Sequence, residues 1–240
     1  MQKMKKLGLV GGMSWVSTVD YYRFINESVN ARLGGLYYAE CLIYSVNFHE
    51  FVTNNTAGKW DDTFRMLLDA CQNLEKAGAE AIVLCANTAH AVADRLETEI
   101  NLPIIHIVTA TATAIKEAGL RKVGLLGTKF TMEMDFYKDK LASAGIDPIV
   151  PATQESRDFI QNTLRDELGK GIIREETKRR YLAIIDDLIG QGAEGIILGC
   201  TEIPMIISQD DVPVPVFDTT RIHSDAAVAF ALEKYMQLKF

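Results

Sequence analysis

The chain has 240 residues, 48% of them hydrophobic, and a formal net charge of −7. That much apolar sequence fills a substantial core without disulfides or structural metal. The acidic balance and the lack of any Lys/Arg stripe exclude nucleic-acid binding. No apolar run has the length of a membrane span or reads as a signal-peptide core. Cys41, Cys71, Cys85 and Cys200, without CxxC spacing, fit a reducing compartment, so a cytoplasmic location is expected.

In chain order, residues 7–10 read as a buried parallel strand bounded by glycines. Ser14 or Ser17 caps a helix through Tyr21, Tyr22, Ile25 and Val29, which Gly34-Gly35 stops. Residues 41–46 form the next strand, and the polar stretch 47–59 reads as a long loop. Asp61 or Asp62 opens a helix that places Phe64, Leu67, Leu68, Cys71 and Leu74 on one face and closes at Gly78. A strand over 81–85 follows, then a helix capped by Asn87 or Thr88 and running to Leu96, then a strand over 103–107. The second half gives strands over 123–126, 146–150, 196–198 and 214–217. Its helices start at Thr131 or Met132 and cover 155–168 and 175–189. A last helix, 224–236, has no counterpart in the second half and is expected to pack on the first.

The two halves repeat. Lys6-Leu7-Gly8-Leu9-Val10-Gly11 is echoed by Lys122-Val123-Gly124-Leu125-Leu126-Gly127, 116 residues on (122 minus 6). Gly78-Ala79-Glu80 returns as Gly192-Ala193-Glu194 after 114 (192 minus 78), and Pro103-Ile104-Ile105 as Pro215-Val216-Phe217. Three matches in one order at a nearly constant offset indicate two pseudo-duplicated α/β domains with parallel-rich sheets. The expected boundaries are 1–105 plus 217–240, and 106–216.

Each half brings a cysteine to the end of an apolar strand, Cys85 and Cys200, where open α/β sheets bind ligands. Cys200 comes one residue later in its repeat, after an inserted Gly199. A thiol of pKa roughly 8.5 is expected to fall beside the helix starts that follow both cysteines. Two thiols on opposite faces of a bound carbon form a base and acid pair. One as thiolate removes a proton and the other as thiol returns one to the far face. Cys41 and Cys71 read as buried structural residues. The Gly8/Gly11/Gly12 pattern is not GxGxxG and reads as a close-approach turn. His90 and Asp94 share a helix face but lack a third partner, so they read as bracing the helix, with no metal site expected.

These residues carry a resemblance. Gly11-Gly12-Met13-Ser14-Trp15, Cys85-Ala86-Asn87-Thr88-Ala89-His90, Gly127-Thr128 with Thr131, and Gly199-Cys200-Thr201-Glu202 are similar to the aspartate/glutamate racemase family over nearly the whole chain. Glutamate at 202 is typical of the aspartate racemase branch, where glutamate racemases carry histidine. The resemblance implies a cofactor-independent amino-acid racemase with its site between two α/β domains, and a homodimer. It makes Cys85 and Cys200 the catalytic thiols. Asn87, Thr88, Thr128 and Thr201 would hold the substrate's carboxylate and ammonium, and Met13 and Ser14 would line the site. Glu202 would hold the ammonium or tune the proton path.

The aspartate-specific pattern has basic residues that are missing here. Residues 46–58 contain no Lys or Arg, and the second-domain position falls at Gly169, beside Lys170 and downstream of Arg165. A desolvated carboxylate without a cation is costly. The expected side chain is therefore polar and uncharged, met by Asn54 or Asn55, as in the similar broad-specificity racemases of enteric bacteria. Asn55 is the residue chosen. Other readings are a cysteine-dependent dicarboxylate isomerase or decarboxylase of the same superfamily, and a non-catalytic amino-acid sensor.

Overall fold

A computed structural model describes residues 3–236. The elements, in order, are β1 (Leu7–Gly11), α1 (Trp15–Leu33), β2 (Cys41–Ser45), α2 (Phe48–Thr56), α3 (Trp60–Lys76), β3 (Ala81–Leu84), α4 (Ala93–Glu97), α5 (Ile107–Glu117), β4 (Lys122–Gly127), α6 (Lys129–Glu133), α7 (Asp135–Ser143), β5 (Asp147–Ile149), α8 (Gln154–Asp166), α9 (Glu175–Gly190), β6 (Gly195–Gly199), β7 (Val216–Asp218) and α10 (Thr219–Met236). The chain divides into two compact units, residues 1–107 with 223–240, and 108–222. Among the described residues no helix is long and apolar enough to cross a membrane.

Both sheets are parallel, β2-β1-β3 in the first unit and β5-β4-β6-β7 in the second. Strands buried on both faces require continuous apolar runs, which Leu7–Gly11 and Gly195–Gly199 provide. The repeat holds at the level of single hydrogen bonds. Glu80 N–H donates to the Lys6 carbonyl (2.8 Å) and its carboxylate accepts from Lys6 N–H (2.7 Å). Glu194 does the same with Lys122, at 2.8 and 3.0 Å. Ile82 and Ile196 both donate to a proline carbonyl, Pro103 and Pro215, at 2.9 Å. Gly78 and Gly192 enter these turns at φ +88° and +93°, which explains glycine at both positions.

One face of the first sheet packs Val10, Leu84, Leu67 and Leu74 into one cluster. The other face packs Leu7, Leu9 and Val83 against Tyr21, Ile25 and Val29 of α1 and Ala227, Val228, Ala231 and Leu232 of α10. The last helix therefore returns to the first unit. It begins five residues earlier than expected, at Thr219, whose hydroxyl donates to the Leu198 carbonyl at 2.8 Å.

Four local expectations differ from the structure. Residues 48–56 are helical: Asn47 caps α2 by accepting from His49 N–H, and the buried Phe51 and Asn55 lie one turn apart. Residues 103–107 make only a single bridge, Ile82 to Ile104. The strand ends there because the Ile107 N–H is taken by His90 Nε2 (3.2 Å) at the start of α5, a helix the sequence reading missed. The expected helix from 87 or 88 to Leu96 splits into a 3₁₀ turn, Thr88–Val92, and the five-residue α4. The helix expected from 131 or 132 starts at Lys129, with Thr128 as its cap.

Candidate active site

In the first unit the register pairs Val10 with Leu84, and Cys85 N–H continues the ladder onto the Val10 carbonyl (2.9 Å). The thiol thus leaves the sheet beside Gly11 and the turn Gly12–Ser14. Thr18 builds that turn: its hydroxyl accepts from Gly12 N–H (2.8 Å) and donates to the Ser14 carbonyl (2.9 Å). Gly12, at φ +86°, sits so close to the Val46 carbonyl that a Cβ would collide with it. Ser14 begins α1, its hydroxyl 3.3 Å from that of Ser17. Met13 and Ser14 are buried, as are Asn87 and Thr88, which follow Cys85 in its turn. Four of the expected residues therefore share one sheet edge with Cys85.

Cys85 is fully buried, and its Sγ lies 3.6 Å from the Val83 carbonyl. Burial, then the Cys41 thiol, pushes its pKa well above the usual thiol value. The expected lowering does not occur, because the following element is a five-residue 3₁₀ segment with little dipole to offset desolvation.

In the second unit Gly127 pairs with Gly199, so Thr128 and Cys200 emerge side by side. Neither glycine has room for a Cβ: the Gly199 carbonyl and Thr131 close on Gly127, and the Leu126 carbonyl on Gly199. Thr128 Oγ1 accepts from Thr131 N–H at 3.3 Å. Cys200 is half-buried and donates to Glu202 Oε2 at 2.9 Å, while Thr201 donates to the same oxygen at 2.8 Å. Burial, then the charge and hydrogen bond of Glu202, raise the thiol well above its ordinary pKa. The backbone N–H groups of Glu202 and Thr201 act the other way and are outweighed. Thr128, Cys200, Thr201 and Glu202 thus form the second group.

Asn55 is buried, and its Oδ1 accepts from Thr63 at 2.6 Å, holding α2 to α3. Its neighbour Asn54 lines a cavity of about 570 Å³ beyond β2, with Tyr44, Asn47, Glu50, Asp62 and Asp69. In the second unit Arg165 pairs with Asp166 at 2.6 Å, and Lys170 reaches the same carboxylate at 4.0 Å.

His90 braces the turn after Cys85. Nε2 accepts from Ile107 N–H, so Nδ1 donates to the Ala86 carbonyl at 3.0 Å. Among the described residues no three His, Cys, Asp or Glu side chains gather in a metal-binding arrangement. Sequence reasoning missed Thr18 and His223. The signal for Thr18 was its place one helical turn beyond Ser14; His223 gave none, because its partners Tyr21 and Ile105 are remote in sequence.

Two parallel α/β units, each placing a thiol beside hydroxyl and amide groups at the carboxyl edge of its sheet, define a duplicated α/β protein. The chain belongs to the Asp/Glu/Hydantoin racemase family, whose model matches residues 10–227. Membership places it among racemases, a class of isomerases.

It is 47% identical to a Yersinia pestis protein assigned as an Asp/Glu racemase (TM-score 0.90, covering 95% of this chain and 100% of that one). It is 39% identical to PH1733, an aspartate racemase homologue from Pyrococcus horikoshii OT3 (TM-score 0.83; 95% and 99%). It is also similar to the broad-specificity amino-acid racemase RacX of Bacillus subtilis, at 24% identity over 93% of this chain and 96% of that one. The match to the glutamate racemase of Aquifex pyrophilus, at 26% identity, covers 74% of this chain and 66% of that enzyme's length.

Proposed function

We propose that the chain racemises free amino acids by passing the α-proton between Cys85 and Cys200. The sulfur that starts as thiolate takes the proton from Cα. The carbanion electron pair then accepts a proton from the other thiol on the opposite face. The enzyme is left with its two sulfurs in exchanged protonation states, and the return reaction restores them. The observation that carries this reading is the repeat itself: two equivalent strand ends, each delivering one thiol beside side-chain hydroxyls.

In the proposed complex Asn87, Thr88, Thr128 and Thr201 hold the substrate's carboxylate and ammonium, while Met13 and Ser14 line the reacting carbon. Glu202 has a double part. In the free enzyme it keeps Cys200 protonated. A bound ammonium beside its carboxylate offsets that charge and so favours the thiolate when substrate is present. For the side chain we propose an uncharged polar group met by the amides of α2, Asn55 or the adjacent Asn54. The cations Arg165 and Lys170 are both engaged by Asp166.

The test is incubation with single L-amino acids in deuterium oxide, following α-proton loss by NMR and optical rotation in parallel. Exchange with loss of rotation is expected, fastest for neutral polar side chains. No exchange with any amino acid overturns the reading; turnover of maleate or a malonate would then indicate a dicarboxylate enzyme, and binding without turnover a sensor.

A further inference from the structure

Tyr21, His90, His106 and His223 are buried in the first unit and take no part in the proposed proton transfer. Their rings form one cluster. His90 lies 4.7 Å from His106 and 5.4 Å from His223, and His223 meets Tyr21 edge-on at 5.5 Å. Ring nitrogens grip the backbone on both sides of His106: His90 Nε2 accepts from Ile107 N–H at 3.2 Å, and His223 Nε2 donates to the Ile105 carbonyl. The Tyr21 hydroxyl donates to His223 Nδ1 at 2.8 Å, which ties the cluster to α1 one turn past Ser17. Buried polar groups bonded in this way rigidify their surroundings.

The other nitrogen of His90 acts on the turn of Cys85. Nδ1 donates to the Ala86 carbonyl at 3.0 Å, while Cys85 N–H donates to the Val10 carbonyl at 2.9 Å. The backbone of Cys85 is therefore fixed on both sides, by the sheet before it and by His90 after it. In the second unit the place five residues past Cys200 belongs to Met205, 37% exposed, whose thioether has no N–H to donate. The polar partner there is Glu202, 2.9 Å from the sulfur. The repeat thus holds its two sulfurs by different means.

We infer that His90 is a positioning residue for Cys85 alone. Its Nδ1–H sets the strand-end turn and with it the approach of that sulfur to the α-carbon, while proton transfer at Cys200 is independent of it. The inference rests on the racemase reading. A reacting group displaced by about 1 Å loses on the order of 10²-fold in rate, so a loosened turn is felt at one sulfur. The two bonds of the ring can be separated by substitution. Asparagine puts an N–H donor where Nδ1 stands and keeps the Ala86 bond. Glutamine puts its amide where Nε2 stands and keeps the Ile107 bond instead.

The test is α-proton exchange in deuterium oxide, with the L and D forms of the best substrate given separately to the unmodified chain, His90→Gln and His90→Asn. His90→Gln is expected to lose at least about tenfold in exchange of one enantiomer, the one that Cys200→Ala still exchanges, and to keep the other. His90→Asn is expected to restore the lost exchange to within about threefold of the unmodified rate. Equal losses for both enantiomers, no loss, or no rescue by asparagine overturns the inference. Peptide-resolved iodoacetamide labelling needs no turnover. Cys85 is expected to react at least about tenfold faster in His90→Gln and at the unmodified rate in His90→Asn, with Cys200 unchanged in both. If the unmodified chain exchanges no amino acid, the racemase reading fails and the labelling decides for His90: an equal change at both cysteines, or none, overturns its role. Should neither variant fold, the His90 tautomer of the unmodified chain decides, read from long-range proton–nitrogen NMR spectra. The Nδ1–H form is expected, and the Nε2–H form overturns the inference.

Discussion

At Cys200, burial and a carboxylate act in the same direction, while the backbone amides of the turn oppose them and lose. The Sγ–H donates to Glu202 at 2.9 Å, so the resting sulfur is a thiol already pointed at a proton acceptor. Replacing Glu202 with Gln removes the charge and keeps the size. The alkylation midpoint of Cys200, followed by peptide-resolved mass spectrometry with iodoacetamide across pH, should move down by about one unit. Amino-acid turnover should fall in the same variant, because the proposed ammonium partner is gone. An unchanged midpoint would show that Glu202 does not control the thiol. The pair of cysteines was legible in the sequence because both end apolar runs in repeated contexts. The direction of their pKa was not. It depends on complete burial at Cys85 and on turns too short to act as helix N-termini, neither of which residue spacing encodes.

Among the elements, α10 shows how a remote helix is fixed on the first unit. His223 Nε2 donates to the Ile105 carbonyl, which leaves Nδ1 to accept from the Tyr21 hydroxyl at 2.8 Å. The ring also packs edge-on against His90, with centroids 5.4 Å apart. Burial lowers the His223 pKa to about 4. Because the folded pKa lies below the unfolded value of roughly 6.5, the unfolded chain binds the extra proton first. This contribution is complete above pH ~6.5 and is lost as pH falls toward 4, amounting to something on the order of 3 kcal/mol. Urea midpoints measured from pH 7 to 4 should drop across that window, and His223→Gln should flatten the slope there. An equal slope in the variant would assign the acid sensitivity elsewhere. The return of α10 could be read from the sequence because it had no counterpart in the repeat. By contrast, α2 was hidden: its polar run Thr53-Asn54-Asn55-Thr56 looks like a loop, and only Phe51 and Asn55 are buried. The helix α5 was hidden too, its Val-Thr-Ala-Thr-Ala run alternating like a strand.

For the whole molecule, the duplication is the fact from which the rest follows. It fixes two sheets that share one three-strand order, β2-β1-β3 and β5-β4-β6 with β7 added in the second, with paired turns closed by Glu80 and Glu194, and one thiol at each equivalent strand end. The copies differ in their chemistry. Cys85 lies in an apolar core beside Cys41, whereas Cys200 has Glu202, and the inserted Gly199 places it one residue further along its strand. In the proposed mechanism the two sulfurs serve opposite enantiomers, and these differences distinguish one from the other. The most direct measurement follows α-proton exchange in deuterium oxide for Cys85→Ala and Cys200→Ala, each given the L and the D form of the best substrate. The account predicts that racemisation falls by at least ~10²-fold in both variants, while each still exchanges the α-proton of one enantiomer, a different one in each. Racemisation at the unmodified rate in either variant would contradict it.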